Sequence, residues 1–240
     1  MQLTFIQNPS FFAYFGDASD HLPHADSGCT QEFILLKNKI IQKTNQSSLS
    51  LFFLKQTHSA DVCILQETPN DHSFFQMQGD AIITTKKNIG IGVITADCIP
   101  LFLFDPENKV IAVIHAGWRG LSKKIITETL TQMNSHYKTN LTKLQVYIGP
   151  AAGVCCYEVQ QDFLENFPTD VFKKKITEIH HNKIFFNAKK MCLSELIENK
   201  IALQNIDAHA CICTICNPQF CSFRREKENA GRQASIIFLR

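Results

Sequence analysis

Six short apolar runs in the first half of the chain constrain the fold more than any other feature of the sequence. They are LFFL at 51–54, DVCILQ at 61–66, GDAIITT at 79–85, IGIGVIT at 89–95, PLFLF at 100–104 and VIAVIH at 110–115. Each run is rich in β-branched residues and bounded by turn-forming residues, which is typical of β-strands. The last three are apolar at nearly every position, as expected for strands that are covered on both faces.

The remaining chain adds further strands and a few helices in no regular alternation. We predict strands near Leu3–Ile6 and at 144–149, 206–212 and 233–239, and helices at 160–167 and 187–199. Residues 16–31 are polar and predict an exposed loop, whereas Phe33–Ile41 is an apolar run of undecided type. This order of elements predicts an α+β fold with mixed or antiparallel β-sheets.

Two of the expected helices have a defined inward face. Leu121, Ile125, Ile126, Leu130 and Met133 recur at helical spacing, and Ser122 is the expected N-cap of that helix. In the helix at 187–199, the residues expected to face inward are Met191, Leu193, Leu196 and Ile197.

Composition excludes several classes of protein. The chain has 240 residues, is 45% hydrophobic and carries 24 basic against 22 acidic residues, which excludes intrinsic disorder and disfavours a dedicated nucleic-acid binder. No apolar run approaches the roughly 20 residues that span a bilayer, and the start lacks a secretory signal. We therefore expect a cytoplasmic protein without a membrane partner, in which the 10 cysteines are reduced and some bind metal.

A turn sequence at 105–108 can bring a thiol and an imidazole together. If Phe104 faces Lys109 across this turn, Cys98 faces His115 and their Cβ atoms lie about 5 Å apart. A shift of one residue would place the two side chains on opposite faces of the sheet. Both strands are apolar throughout, so their pattern cannot choose between these registers.

A neighbouring cysteine and histidine have three possible roles. The imidazole can take the thiol proton for nucleophilic catalysis, the pair can bind a metal, or both can be inert buried residues. His58, in the polar segment KQTHSA, is the best candidate for a third metal ligand. Two histidines and one cysteine suit zinc and leave a fourth position for water or substrate.

Seven motifs give the chain a resemblance to a known family. They are QTHSADV, GDAIITT, GIGVITADCIPLFLFDP, VIAVIHAGWRG, IGPAAGVCCYEV, CTICNPQFCSFRR and GRQASIIFL. In these motifs the chain resembles the YfiH-type laccase-domain family, also called the YfiH family of purine nucleoside phosphorylases, from about Gln56 to Leu239. The resemblance implies one domain over residues 1–240, with β-sheets layered against helices and a divergent part at 1–50.

The resemblance also implies a site and an activity. The implied metal ligands are His58, Cys98 and His115, and the implied cofactor is Zn²⁺, with Cu²⁺ also possible. The implied reactions are phosphorolysis of adenosine, inosine and methylthioadenosine, with purine nucleosides and phosphate as small-molecule partners, and deamination of adenosine. Oxidation of polyphenols is an older attribution. Near the N-terminus the chain departs from the family, since AYFGDAS places Phe15 where an arginine is expected.

Several polar residues near these motifs have both a chemical and a structural interpretation. Asp80 could orient a ligand or protonate a leaving purine, or it could simply form a turn at a strand start. Asp97 could hydrogen-bond a ligating histidine or accept local backbone amides. Arg119 is a candidate phosphate-binding residue or a surface ion-pair partner, and Trp118 could stack on a base or pack in the core.

Two further groups of residues remain open. Arg224 and Arg225 are candidate substrate-binding residues, although adjacent arginines in a loop are often solvated. Cys211, Cys213, Cys216 and Cys221 form a cluster that is too compact for a usual zinc ribbon, so packing or redox-sensitive thiols are favoured over a metal site. Cys155 and Cys156 are interpreted as structural.

Together with the candidate residues, the resemblance implies a zinc-dependent purine nucleoside phosphorylase, for which Asp80 and Arg119 are the expected catalytic residues. The alternatives are a cysteine hydrolase that uses Cys98 and His115, a copper-dependent polyphenol oxidase, and a metal-binding protein without enzymatic activity. The 9 histidines are too few and too scattered for several copper centres, which disfavours the oxidase.

Overall fold

The computed structural model describes residues 5–20, 22–23, 31–46, 48–67 and 75–240. The β-strands are β1 (Phe5–Gln7), β2 (Phe11–Phe15), β3 (Ser50–Phe53), β4 (Val62–Leu65), β5 (Ala81–Thr84), β6 (Ile89–Thr95), β7 (Ile99–Asp105), β8 (Val110–Ala116), β9 (Gln145–Ile148), β10 (Glu158–Val159), β11 (Thr177–His180), β12 (Lys183–Phe186), β13 (Ile206–Asp207) and β14 (Gln233–Leu239). The α-helices are α1 (Gln31–Thr44), α2 (Trp118–Ser122), α3 (Ile125–Tyr137), α4 (Asp170–Ile176), α5 (Ala188–Glu198) and α6 (Phe223–Glu226). Within these ranges, no helix has the length and apolar character needed to cross a membrane.

The strands form two large sheets and one small sheet. One large sheet has the order β1-β2-β14-β6-β3, the other has the order β13-β9-β7-β8-β5-β4, and β10-β12-β11 form the small sheet. The pairs β3–β6, β4–β5 and β9–β13 are parallel, and the other pairs within the large sheets are antiparallel. The predicted α+β fold with mixed sheets is therefore confirmed.

The two large sheets pack face to face through a layer rich in phenylalanine. The inward face of β2 contributes Phe11 and Phe15, whose rings lie 4.7 Å from Phe104 and 4.5 Å from Phe102 in the facing sheet. Successive strand residues point to opposite faces, so Phe12 and Tyr14 face outward and pack in the cluster that includes the buried face of α1.

Helices cover the outer face of the six-stranded sheet. Alternate residues of β7 and β8 form one cluster with the buried faces of α3 and α5. The order of layers is therefore helix, sheet, sheet, helix, which explains why β6, β7 and β8 are buried at every position. That prediction from their apolar composition is confirmed, and it is the reason that their sequence shows no alternation.

The observed register of the β7–β8 hairpin is neither of the two considered from the sequence. His115 pairs with Pro100, and Asp105 pairs with Val110, so the connecting loop is 106–109. Asp105 belongs to the strand, where its carboxylate accepts the backbone N–H groups of Glu107 and Asn108. The observed register differs by two positions of the facing strand from the one that would pair Cys98 with His115, so each residue still points to the same side of the sheet.

Several predicted element boundaries also need correction. The helix expected at 121–133 is broken by Lys124, which has a left-handed φ of 65°, and Ser122 is at the end of α2 rather than at an N-cap. Ile197 is 48% exposed rather than inward, and the predicted strand at 206–212 is limited to β13. Phe33–Ile41 lies in α1, the segment 160–167 contains a 3₁₀ helix at Gln161–Asn166, and much of the predicted loop at 16–31 lies outside the described residues.

Candidate metal centre and cavity

Three metal-ligating side chains converge from separate parts of the chain. His58 lies in the loop after β3 with a left-handed φ of 56°, Cys98 lies between β6 and β7, and His115 lies near the end of β8. One ligand atom from each residue lies within 4.8 Å of the other two. In the observed register the strand neighbour of His115 is Pro100 rather than Cys98. The Cys98 thiol nevertheless lies on the same side of the sheet as the His115 ring.

Asp80 positions two of the three candidate ligands. Its Oδ1 lies 2.7 Å from Nδ1 of His115, which leaves Nε2 as the nitrogen available to a metal. The carboxylate also accepts the backbone N–H groups of Thr57, His58 and Ser59 at 3.2, 3.0 and 2.7 Å. One buried carboxylate therefore holds both the His115 ring and the loop that carries His58.

The same hydrogen bonds determine the charge of Asp80. Burial raises the pKa of Asp80. The hydrogen bond and positive charge of His115 and the hydrogen bonds from Ser59 lower it more, so the pKa lies well below its usual range. Asp80 is therefore an anion at neutral pH. It can accept hydrogen bonds there, but it cannot supply a proton to a leaving group.

Cys98 and His115 shift each other toward their charged forms. Burial raises the pKa of the Cys98 thiol, but the neighbouring His115 and His58 lower it to about 6. Burial lowers the pKa of His115, but Cys98 and Asp80 raise it to about 9. A thiolate is the form of cysteine that binds metals and acts as a nucleophile, so this site provides it at neutral pH.

The three donors fit a thiophilic metal ion. Two imidazole nitrogens and one thiolate suit zinc or copper and leave a coordination position for water or substrate. A Cβ atom on Gly117 would lie 2.9 Å from both Cys98 Sγ and His58 Cδ2. Glycine is thus the residue that lets the backbone approach these ligands closely.

A cavity of about 450 Å³ lies against the three donors. It is lined by Lys55, Gln56, His58, Ile94, Thr95, Ala96, Asp97, Cys98, His115, Trp118, Arg119, Tyr157, Phe223, Arg224 and Arg232. Four of these side chains are cationic and three are aromatic. The guanidinium of Arg119 lies 4.5 Å from the ring centre of Trp118, and that of Arg224 lies 4.2 Å from the ring centre of Tyr157.

The predicted site residues divide into those that reach this cavity and those that do not. Arg119 and Arg224 line it, whereas Arg225 donates hydrogen bonds to four backbone carbonyls in the 214–220 loop and pairs with Glu226. Arg225 therefore braces a loop. Phe15 is 3% exposed in the layer between the sheets and does not reach the cavity either.

Asp97 makes structural contacts, whereas Trp118 both packs against a neighbouring ring and lines the cavity. Asp97 accepts a hydrogen bond from the Thr214 hydroxyl at 2.7 Å and another from the Arg224 backbone N–H at 2.6 Å. Asp97 therefore ties its own loop to distant segments near the C-terminus, a role that neither sequence interpretation anticipated. Trp118 lines the cavity, and its ring also packs 5.1 Å from that of Phe163.

The sequence did not identify Arg232, Tyr157 or Lys55 as cavity residues. Arg232 directly precedes β14. Because Gln233 pairs with Thr95, Arg232 lies beside the end of β6 from which the chain continues to Cys98. This pairing joins segments far apart in sequence, so local patterns carry no signal for it. Burial raises the pKa of Tyr157 to about 12, which keeps its phenol neutral.

The cysteines cluster differently from the sequence prediction. Cys155, Cys156, Cys213 and Cys216 form a group whose sulfurs all lie within 4.8 Å of one another. An isolated parallel bridge between Ala151 and Cys213 brings the two segments together. Cys211 and Cys221 are outside this group, since Cys211 packs against the helix-side core and Cys221 is buried.

The sequence of the chain matches a known family and several named proteins. Residues 30–240 match the family model described as multi-copper polyphenol oxidoreductase laccase. Among relatives, a purine nucleoside phosphorylase of Clostridium acetobutylicum is 34% identical over 77% of this chain and 75% of its own length. A purine nucleoside phosphorylase of Aquifex aeolicus is 33% identical over 86% of this chain and 92% of its own length.

Solved structures show the same fold. A hypothetical protein YfiH from Bacillus licheniformis has a TM-score of 0.83 and 22% identity, over 98% of this chain and 99% of its own. YlmD from Geobacillus stearothermophilus has a TM-score of 0.78 and 19% identity, over 98% of both chains. At these identities the likeness supports the fold and not the chemistry.

Proposed function

We propose that this chain, which belongs to the multi-copper polyphenol oxidoreductase laccase family, is a purine nucleoside phosphorylase. Its substrates would be adenosine, inosine or methylthioadenosine together with phosphate, and its products a free purine and a sugar 1-phosphate. The names of the Clostridium and Aquifex relatives support this activity rather than the oxidation that the family description suggests.

The composition of the cavity is the observation that carries the proposal. The lining beside the His/Cys donors carries four cationic side chains, those of Lys55, Arg119, Arg224 and Arg232. Among the described residues, one carboxylate, that of Asp97, also lines the cavity, so positive charge is in excess. Clustered guanidinium groups suit a phosphate, which they bind bidentately. The aromatic side chains of Trp118, Tyr157 and Phe223 offer flat apolar surfaces for a purine.

Phosphorolysis requires positioning of two substrates and stabilisation of a leaving group. A phosphate oxygen forms a bond to C1′ of the sugar, the C1′–N bond to the purine breaks, and its electron pair goes to the purine, which then takes up a proton. The cationic side chains bind and orient the phosphate. The Tyr157 hydroxyl stays protonated at neutral pH and can donate a hydrogen bond to a nitrogen of the departing purine.

We propose that His58, Cys98 and His115 hold a zinc ion, with copper as the other ion that suits these donors. When bound, the ion would supply positive charge next to the phosphate. Asp80 is a positioning residue in this scheme, because it orients His115 and stays ionised. Arg119 remains the proposed phosphate-binding catalytic residue, and adenosine deamination is proposed as a second activity of the same cavity.

A cysteine hydrolase is the second candidate function, and one observation favours it. Without metal, the Cys98 thiolate and the His115 imidazolium form the kind of pair that activates nucleophilic cysteines. Alkylation of metal-free protein separates the two functions. Hydrolase activity that persists without metal and is lost on alkylation would favour the hydrolase. Oxidation by several copper centres is disfavoured, because His58, Cys98 and His115 are the one histidine-containing donor group among the described residues.

The test combines metal analysis with a phosphate-dependent assay. Protein purified without added metal is analysed for zinc and copper, and release of free base from adenosine, inosine and methylthioadenosine is measured with and without phosphate. We expect base release only with phosphate, and loss of it in His115→Ala. His136→Ala is the matched control, because His136 is an exposed histidine on α3. Ammonia release from adenosine tests deamination. Metal-loaded protein that releases no base from adenosine, inosine or methylthioadenosine in the presence of phosphate would overturn the proposal.

A further inference from the structure

Outside the cavity, four cysteine sulfurs meet at the surface of the molecule. Cys155 and Cys156 lie in the turn that follows β9, and Cys213 and Cys216 lie in a turn after β13. We propose that these four cysteines form a second metal site, which binds one thiophilic ion such as zinc. This inference does not depend on the proposed function.

The spacing of the sulfurs suits a single tetrahedral ion. With zinc–sulfur bonds of about 2.3 Å, tetrahedral geometry separates the sulfurs by roughly 3.8 Å. Here the four sulfurs lie within 4.8 Å of one another, and those of Cys155 and Cys216 are 4.0 Å apart. Movements of about 1 Å or less therefore close the four thiolates around an ion.

Backbone contacts hold the two turns in place without help from the sulfurs. The N–H of Ala151 donates to the Ile212 carbonyl at 3.1 Å, and the N–H of Thr214 donates to the Ala151 carbonyl at 3.0 Å. These bonds fix the register between the two turns. The cysteines are thus brought together by the fold before any ion binds, which lowers the cost of assembling the site.

Gly153 adds a contact of the kind that thiolate ligands receive. Its N–H donates to Cys213 Sγ at 3.2 Å, which stabilises negative charge on that sulfur. A Cβ at Gly153 would lie 2.8 Å from the Cβ of Cys213 and 3.2 Å from Cys155 Sγ. A glycine therefore permits both the hydrogen bond and the close approach of the two turns.

The arrangement suits a metal better than core packing or one disulfide. Cys155 and Cys216 are exposed and the other two are half-buried, so the four thiols gain little from burial. A disulfide would join two of the sulfurs and leave the other pair unused, whereas an ion engages all four. Structural zinc sites commonly join two cysteine pairs from segments far apart in sequence, and Cys155 and Cys216 are separated by 61 residues. Cys213 and Cys216 have the usual C-x2-C spacing, whereas Cys155 and Cys156 are adjacent, so the second pair departs from the usual pattern.

The site would brace one wall of the cavity. Tyr157 follows Cys156 directly, and Thr214, next to Cys213, hydrogen-bonds Asp97. The N–H of Ala152 also donates to the Asp97 carbonyl at 2.9 Å. Four thiolates complete a tetrahedral shell and leave no open position, so this ion would be structural.

The test uses cobalt as a spectroscopic substitute for zinc in the full chain. A Cys98→Ser background removes the thiolate of the His/Cys site, so Co²⁺–thiolate absorption then reports on the remaining cysteines. We expect intense charge-transfer and tetrahedral d–d bands that saturate at one Co²⁺ per chain. They should be lost on further substitution of Cys213→Ser with Cys216→Ser, and zinc should displace the cobalt.

Cys211→Ser is the matched control, because it removes a cysteine of the same loop that the structure leaves outside the group. It should retain the cobalt spectrum. The exposed Cys155→Ser is the variant least able to disturb folding, which circular dichroism verifies. It should weaken binding by more than about 100-fold, since even loss of a residue that only orients a ligand costs roughly 10–100-fold.

Three results would overturn the proposal. The first is a cobalt spectrum that survives Cys213→Ser with Cys216→Ser, and the second is a spectrum lost equally in Cys211→Ser. The third is metal-free reduced protein that takes up no cobalt or zinc beyond the His/Cys site while its four thiols remain open to alkylation. Failure of the phosphorylase assay alone would leave the cobalt result unaffected, so the two proposals can fail separately.

Discussion

Replacement of Asp80 by asparagine tests the idea that one buried carboxylate assembles the His/Cys site. Asp80 is 1% exposed, and its two oxygens receive hydrogen bonds from His115 and from the backbone of residues 57–59. An amide offers one acceptor oxygen, and its NH₂ group then faces N–H donors in either orientation. At least two of these bonds are lost or opposed.

The expected cost follows from the number of bonds lost. A hydrogen bond to a charged group contributes about 1.5–3 kcal/mol, so the loss of two lowers the free energy of unfolding of the metal-free protein by about 3–6 kcal/mol. Metal affinity should fall by roughly 10–100-fold, because His115 and the His58 loop are no longer held in position. Urea unfolding measures the first effect, and competition with a chromophoric chelator measures the second.

Asp105→Asn is the matched control. Asp105 is also a buried carboxylate that accepts backbone N–H groups, but it lies at the end of β7 where the β7–β8 turn begins, at the opposite end of the hairpin from Cys98 and His115. Its Oδ1 accepts both of these N–H groups, so asparagine can keep them, and metal affinity should be unchanged. Wild-type metal affinity in a folded Asp80→Asn protein would refute the positioning role of Asp80.

Four further predictions test the site and the core. Arg232→Ala should raise KM for phosphate by roughly 10–100-fold, the equivalent of one charged hydrogen bond. Arg232→Lys should raise this KM less, and an unchanged KM in steady-state assays of Arg232→Ala would exclude a phosphate contact. Gly117→Ala should weaken metal binding about tenfold or more, because its Cβ would lie 2.9 Å from Cys98 Sγ; chelator competition measures this. Metal binding should release one proton from His115 between pH 6 and 9 and a second from Cys98 below pH 6, since their pKa values are about 9 and about 6. Affinity therefore rises with pH up to about 9. Ultraviolet absorption of the Cys98 thiolate in metal-free protein, taken as the difference from Cys98→Ser, should appear near pH 6, and its appearance only near the ordinary thiol pKa of about 8.5 would contradict the shift. Phe15→Ala should lower the free energy of unfolding by about 3–5 kcal/mol, measured in urea, and should leave metal affinity unchanged. A fall in metal affinity as well as in stability would place Phe15 at the site.

Local patterns predicted the strands well because their composition is extreme. The predicted runs 89–95 and 233–239 coincide with β6 and β14, and both are buried throughout. The family resemblance is confirmed by the match over residues 30–240. The single-domain organisation and the cytoplasmic location stay predictions.

Long-range pairings were beyond what the sequence could specify. The hairpin register could not be chosen from the sequence, because the Asp105 side chain bonds the turn backbone and extends the strand, which hydrophobicity does not encode. Cys98 and His115 were still placed together, because a shift of two positions preserves their face of the sheet. Arg232 and the Cys155–Cys213 proximity depend on contacts between distant segments, and no local pattern signals them.

The chain passes from one large sheet to the other between β6 and β7, and Cys98 lies in that crossing. His115 belongs to the six-stranded sheet, while His58 follows β3 of the five-stranded sheet. Asp80, just before β5 of the six-stranded sheet, nonetheless ties the His58 loop to His115 across this boundary. The donor atoms are therefore held by one carboxylate rather than by the phenylalanine layer, so changes in that layer should lower the stability of the fold without altering which ions the donors prefer.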